Sequence, residues 1–165
     1  MRIRQFQVGD ETAMERIAPR AFMGRGLARL AIDASLPREA VAEEYRREAR
    51  GYAERVMRGE KGIAVFVAEE DNATVGYIVV GVRDRSRDIY GFLWGAIISL
   101  AVDPEHWGKG IGSALIAEGL KWLKQQGVKY AEVSTDQNNI PAIRAYEKNG
   151  FRVVYSGVTL SQFLD

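Results

Sequence analysis

The chain has 165 residues, 23 basic and 22 acidic side chains and a formal net charge of +1. That length fills one domain, and the balanced charge gives no sequence-wide case for a nucleic-acid partner. With no Cys and a single His, His106, the sequence excludes disulfides, cysteine-ligated zinc, iron–sulfur clusters, a cysteine nucleophile and multi-His metal sites, and disfavours a Ser-His-Asp triad.

Met1–Phe6 carries Arg2 and Arg4 with no apolar run behind them, so no targeting segment is expected. The longest apolar stretch, near Phe92–Val102, falls short of the ~20 residues of a membrane span. The expectation is a cytoplasmic protein with no membrane partner. Residues 1–60 hold 12 Arg, no Lys and 10 acids, whereas the six Lys lie at 61 or later. Asp10–Pro19 predicts a helix with Met14, Ile17 and Ala18 on one side, stopped by Pro19. A longer helix follows from Arg38 to Arg58, opened by Ser35-Leu36-Pro37, with i,i+4 pairs Glu43/Arg47 and Glu54/Arg58. Its narrow stripe of Tyr45, Tyr52 and Val56 fits a solvated helix lying on a sheet, or one wall of a substrate groove.

After Gly62 the pattern changes to strands. Ile63–Ala68 and Val75–Val82 predict an antiparallel hairpin around the turn signals of Glu69–Thr74. Arg83–Asp88 reads as a polar loop, and Tyr90–Val102 as a third strand region ending at Asp103-Pro104. Tyr90, Phe92 and Trp94 alternate there, either as a face packed on helices or as the floor of a groove. From Lys109 to Gln126 the period becomes helical, with Ile111, Leu115, Ile116, Leu120 and Leu123 on one side and Gly127 as the stop. Lys129–Thr135 predicts a strand. Asn139 caps a helix that ends at Asn149-Gly150. Phe151–Ser156 and Val158–Phe163 predict two closing strands around Gly157. The order βααβββαβαββ predicts a single α/β domain of the α+β type over 1–165, with helices covering a mostly antiparallel sheet.

The segment Trp107-Gly108-Lys109-Gly110-Ile111-Gly112 follows a strand and opens an amphipathic helix. Its alternating glycines leave the backbone unshielded, and the helix N-terminal amides favour an anion. Together they predict a phosphate or pyrophosphate cradle, to which Lys109 adds a charge. A Walker A loop is absent. The G-x-G-x-G spacing and the position late in the chain also disfavour a dinucleotide fold, although Glu132 lies about 20 positions on, where that fold has an acid. A coenzyme A cradle is the third class.

Two stretches carry a resemblance. Ser99-Leu-Ala-Val-Asp-Pro-Glu-His-Trp-Gly-Lys-Gly-Ile-Gly is similar to the strand and pyrophosphate loop of the GNAT superfamily of acetyl-CoA-dependent N-acetyltransferases. Asn139-Ile-Pro-Ala-Ile-Arg-Ala-Tyr-Glu-Lys-Asn-Gly-Phe151 resembles the family's second half, Asn-x-x-Ala-Ile/Val-x-x-Tyr-x-x-x-Gly-Phe. The resemblance spans Ala96–Val154, with one departure: Trp107 stands where the family has Gln or Arg at the head of the loop.

The resemblance implies that 96–154 is an acetyl-CoA-binding core and that 1–60 is a helical acceptor-side region. It implies splayed strands, with the pantetheine pairing along Leu100-Ala101-Val102. The amides of Gly108, Lys109, Gly110, Ile111, Gly112 and Ser113 would hold the pyrophosphate beside Trp107. Asn139 would bond the pantetheine as well as capping its helix. Tyr146 would protonate the departing thiolate. The acceptor would be a primary amine of a protein, peptide or small molecule, with acetyl-CoA as co-substrate and no metal.

The base is open. Histone-type members place a Glu where Ala96 stands. Glu132 resembles the Glu that some peptide α-amine acetylating members carry on the next strand, although the stretch from Glu132 to Asn139 is two residues longer here. Asp136 and a water are rivals, and Glu132 also fits an ordinary polar strand position. His106 fits a structural or solvent-exposed role better than a proton shuttle. Selectivity would lie in Arg20–Leu36 and Ser156–Gln162, with Phe22-Met23-Gly24-Arg25-Gly26 as a flap. Family members often dimerise, so a homodimer is compatible with the sequence. A non-catalytic acyl-CoA-binding sensor is the alternative reading.

Overall fold

The computed structural model describes residues 1–24, 28–83, 85–162 and 164, with the side chains of Arg29 and Ile32 set aside. Its sheet has five strands in chain order: β1 (Arg2–Gln5), β2 (Ile63–Glu70), β3 (Ala73–Arg83), β4 (Leu93–Val102) and β5 (Val128–Val133). The first three pairings are antiparallel and β4–β5 is parallel. Between β2 and β3, Asp71 and Asn72 both take positive φ, which suits a two-residue hairpin turn.

Strand alternation sorts the core into two layers. Ile63, Val65, Val67, Tyr77 and Val79 face helices α1 (Asp10–Gly24) and α3 (Arg38–Met57), meeting Met14, Ile17, Val41, Tyr45 and Ala49. A short helix α2 (Arg29–Ile32) lies between those two. Ala64, Phe66, Ala68, Ile78, Val80 and Ile97 face the other way, onto Ile111, Leu115, Ile116 and Leu123 of α5 (Ile111–Gln125) and Tyr146 of α6 (Ile140–Lys148). Among the described residues no helix is long and apolar enough to cross a membrane.

Several expectations are corrected. Pro19 does not stop α1, which runs on to Gly24 with Pro19 buried inside it. Packing of the helix against α3 and the sheet outweighs the local cost of the proline. Phe22–Gly24 therefore form its last turn rather than a flap, and Arg25 and Gly26 lie outside the described residues. On α3, Glu43 pairs with Arg46 and Arg47 with Glu44, each at i,i+3. The expected polar loop after β3 contains a short helix, α4 (Ser86–Tyr90), with Asp84 outside the described residues. The Ser86 hydroxyl donates to the Arg83 carbonyl and accepts from the Trp94 amide, closing that excursion. Tyr90 thus belongs to α4, and β4 begins at Leu93.

The two closing strands are absent from the described part of 151–162. Val153, Val154, Tyr155, Val158 and Leu160 are exposed there. Their β-branched pattern favours a strand only when a partner edge supplies hydrogen bonds and cover. This segment instead bends round a cavity beside β5.

The start of α1 is tied to the sheet through a buried carboxylate. Asp10 accepts hydrogen bonds from both Arg4 terminal nitrogens (2.7 and 2.9 Å), the Gln7 amide (2.8 Å) and the Thr74 hydroxyl (2.9 Å). Burial opposes its charge, but Arg4, Gln7 and Thr74 outweigh that and hold the carboxyl below the ordinary range. Asp10→Asn is expected to cost about 3 kcal/mol, because it breaks a buried ion pair and leaves Arg4 undercompensated. The wild-type advantage is present above the unfolded carboxyl value near ~4 and fades as pH falls through the lower native one. Chemical denaturation at pH 7 and pH 3 checks this. Equal stability of the two proteins at pH 7 would refute it.

Candidate active site

The Gly-rich loop folds as a cradle. After β4 comes a 3-10 turn, Pro104–His106, whose start is capped by Asp103. Gly108 and Gly110 then take φ of 80° and 79°, the left-handed region where a Cβ is costly. Gly110 leads directly into α5, and no side chain caps the first amides of that helix. Gly108, Lys109 and Gly110 are exposed, so Ile111, Gly112 and Ser113 open a helix whose N-terminal amides face a free approach. Lys109 Nζ and His106 Nε2 each lie 3.4 Å from the Glu70 carboxylate, so the lysine's charge is shared with an acid.

Trp107 has a different task from the polar residue expected there. Its indole N–H donates to the Val102 carbonyl at 2.7 Å. The ring end lies 3.1 Å from where a Cβ on Gly24 would stand, so the loop is clasped between β4 and the end of α1. Asp103 reinforces that junction by pairing with Arg16 (2.8 Å) and Arg20 (3.1 Å) of α1.

The sheet opens beside this loop. β4 and β5 are paired from Leu93↔Val128 to Ile97↔Val133, where β5 ends. β4 continues to Val102, so among the described residues Leu100, Ala101 and Val102 present an edge with no strand on the β5 side. This is the splay expected from the sequence.

Two cross-strand rows lie just before the opening. Arg83, Trp94 and Tyr130 are register partners on β3, β4 and β5, and Gly81, Ala96 and Glu132 form the next row on the same face. Glu132 therefore projects from the sheet beside Ala96, about 5 Å away by strand spacing. Ala96 carries no carboxylate; its lateral neighbour on β5 is Glu132. Its Oε1 forms an ion pair with Arg83.

A cavity of about 1160 Å³ wraps the β5 edge, lined by Glu132, Asp136, Tyr146, Asn149 and Phe151 among others. Tyr146 and Glu132 thus share one cavity, from opposite sides of β5. The Tyr146 side chain is buried and packs edge-on against Phe151 at 5.7 Å, held there because Phe151 N bonds back to the Tyr146 carbonyl. Burial pushes its hydroxyl up to about 12. Asn139 has its expected cap, accepting from the Ala142 amide at 3.4 Å and donating to Thr135 at 3.3 Å. His106 sits at Glu70, beside the loop, and is not among the residues lining this cavity.

Sequence reasoning missed Arg83, Tyr130 and Asn149. Asn149 donates to the Ser113 hydroxyl at 2.9 Å and to the Ala145 carbonyl, tying the end of α6 to the start of α5. It falls at an unspecified position of the second motif, which gives no signal for it. Arg83 had none either, because its role depends on register.

Known proteins share this fold. The profile of the acetyltransferase (GNAT) family matches residues 27–151. A mycothiol acetyltransferase of Kocuria rhizophila is 30% identical over 153 residues, covering 92% of this chain and 46% of that protein. The chain therefore spans less than half the length of that relative. The PaiA N-acetyltransferase of Thermoplasma acidophilum, solved with coenzyme A, superposes with a TM-score of 0.75 at 20% identity, over 94% of this chain and 92% of that one. An aminoglycoside acetyltransferase from a soil metagenome, solved with sisomicin, gives a TM-score of 0.63 at 19% identity, over 99% and 96%. With three-quarters of its length matched by the family profile and the same fold in these neighbours, the chain belongs to the GNAT acetyltransferase family.

Proposed function

We propose that the protein transfers an acetyl group from acetyl-CoA to a primary amine of a small molecule. The observation that carries this is the left-handed Gly108–Gly110 turn into an uncapped helix, set beside a strand edge that loses its partner after Ile97. An anion and an extended polar arm fit those two features together. The amides of Gly108 to Ser113 hold the pyrophosphate, with Lys109 and Trp107 flanking it. Leu100, Ala101 and Val102 offer backbone to the pantetheine arm, although Trp107 already occupies one lone pair of the Val102 carbonyl. Asn139 contributes from the far side while keeping its cap.

Acetyl-CoA supplies an activated thioester. In the transfer, a nitrogen–carbon bond forms and the carbon–sulfur bond breaks. The reacting amine must first lose a proton, since free alkyl amines sit near ~10.4. Glu132, directly or through a water, takes that proton. Burial pushes the Tyr146 hydroxyl up to about 12, so it holds a proton at neutral pH and gives it to the leaving sulfur. The nitrogen, cationic after attack, then returns its second proton to the Tyr146 phenolate, directly or through water. A free amide on β4 near Leu100 polarises the carbonyl. The names of the mycothiol and aminoglycoside acetyltransferases support a small-molecule acceptor.

The test combines binding and turnover. Acetyl-CoA should raise the melting temperature, whereas ATP and NAD should not, and thiol release should occur with at least one member of a panel of small amines. Stabilisation by ATP alone would sink the cofactor assignment. Acetyl-CoA binding without thiol release from any amine or peptide would convert the reading to an acyl-CoA sensor.

A further inference from the structure

We propose that the acceptor enters as a protonated amine and docks on the face of Trp94 against Glu132, in the position that Arg83 now fills. This rests on the acetyl-transfer reading above and adds the form and class of the acceptor. The Arg83 guanidinium carbon lies 5.8 Å from the centre of the Trp94 ring, and the same guanidinium pairs with Glu132. A cation held over an indole and against a carboxylate is the arrangement by which proteins bind ammonium ligands. The structure holds such a cation, and it comes from the protein's own chain.

The surroundings suit a visiting amine. Trp94 is met edge-on by Tyr130 at 4.5 Å and at a tilt by Tyr90 at 5.0 Å, and Phe92 continues the surface at 6.5 Å from Tyr130. Tyr90 and Tyr130 remain exposed, so the ring surface is open to an apolar body attached to the amine. The next row on that face, Gly81–Ala96–Glu132, puts an alanine and then a glycine beside the carboxylate. Ile98 leans over Gly81 and closes that end, since a Cβ there would lie 2.8 Å from its side chain. Arg83 stands at the end of β3 with 59% of its side chain exposed, and an exposed ion pair of that kind is weak enough to yield to a ligand of like charge.

An alkyl or benzyl ammonium has the charge of Arg83 and a smaller head. Docked in its place, its N–H points at Glu132. The proton passes to a carboxylate oxygen and the nitrogen lone pair is freed beside the sheet opening, where β4 continues without β5. The site therefore selects primary amines borne on a hydrocarbon or aromatic skeleton, without a carboxylate or phosphate next to the nitrogen.

Benzyltrimethylammonium, which has no N–H to acetylate, tests docking apart from turnover by calorimetric titration. Arg83→Met removes the internal competitor and should tighten its Kd about fivefold to tenfold. Trp94→Leu should abolish the binding, and Trp94→Phe, which keeps a ring and guards against misfolding, should retain part of it. KM for benzylamine should fall in Arg83→Met by the same factor as the Kd. A Kd and KM unchanged or raised in Arg83→Met, or no binding to either protein, would overturn the proposal. Should no amine be turned over while the quaternary ammonium follows the expected pattern, the docking site stands and the acetyl-transfer reading fails.

Discussion

Tyr146→Phe is expected to lower kcat by about 10²- to 10³-fold, the range for loss of a positioned general acid. Melting temperature should be almost unchanged, because the substitution keeps the ring that packs on Phe151 and removes a hydroxyl that has no protein hydrogen bond among the described residues. KM for acetyl-CoA should stay within about twofold, since the interaction lost is one made in the transition state. The direction of the hydroxyl's shift adds a second reading. A phenol pushed up to about 12 by burial keeps its proton through neutral and mildly alkaline solution. The wild-type pH–rate profile should therefore show no descent assignable to Tyr146 below about pH 10. A kcat within about threefold of wild type in Tyr146→Phe would remove this residue from the proton inventory.

Glu132→Gln is the second large effect, expected at about 10²-fold in kcat with a changed acidic limb of the pH–rate profile. The control comes from register. Ala96 and Glu132 are lateral neighbours, so a carboxylate moved from β5 to β4 travels about 5 Å and leaves from the same face. Ala96→Glu in the Glu132→Gln background should recover at least about tenfold of the loss. A water-mediated route that does not involve the sheet face would leave both single and double variants near wild type, and that outcome would exclude Glu132 as the base.

The parts of this protein legible in its sequence are those whose cause is local or periodic. α5 announces itself by the 3.6-residue spacing of Ile111, Leu115 and Leu123. The β2–β3 turn is marked by Asp71-Asn72, and the loop by alternating glycines in front of a helix. Ala101, Leu100 and Val102 lie along an open edge, as the motif implied. The failures share a different cause. Pro19 reads as a stop only if helix α1 is considered without the sheet and α3 that bury it. The valines after Phe151 predict strands only on the assumption that an edge receives them. Tyr90, Phe92 and Trp94 were grouped correctly, but by a strand periodicity that Tyr90 does not obey. The rings meet because α4 carries Tyr90 back over β4. The pairing of Arg83 with Glu132 and the adjacency of Ala96 to Glu132 are consequences of strand order and register, which single-chain patterning does not fix.

The clasp at Trp107 ties together two positions far apart in the chain. Its ring lies 3.1 Å from where a Cβ on residue 24 would stand, and its N–H is committed to the Val102 carbonyl at the end of β4. A side chain at position 24 would press on the indole, and a smaller residue at 107 would leave a hollow beside the end of α1. Positions 24 and 107 are therefore constrained as a pair, which couples the end of α1 to the shape of the Gly108–Gly110 loop.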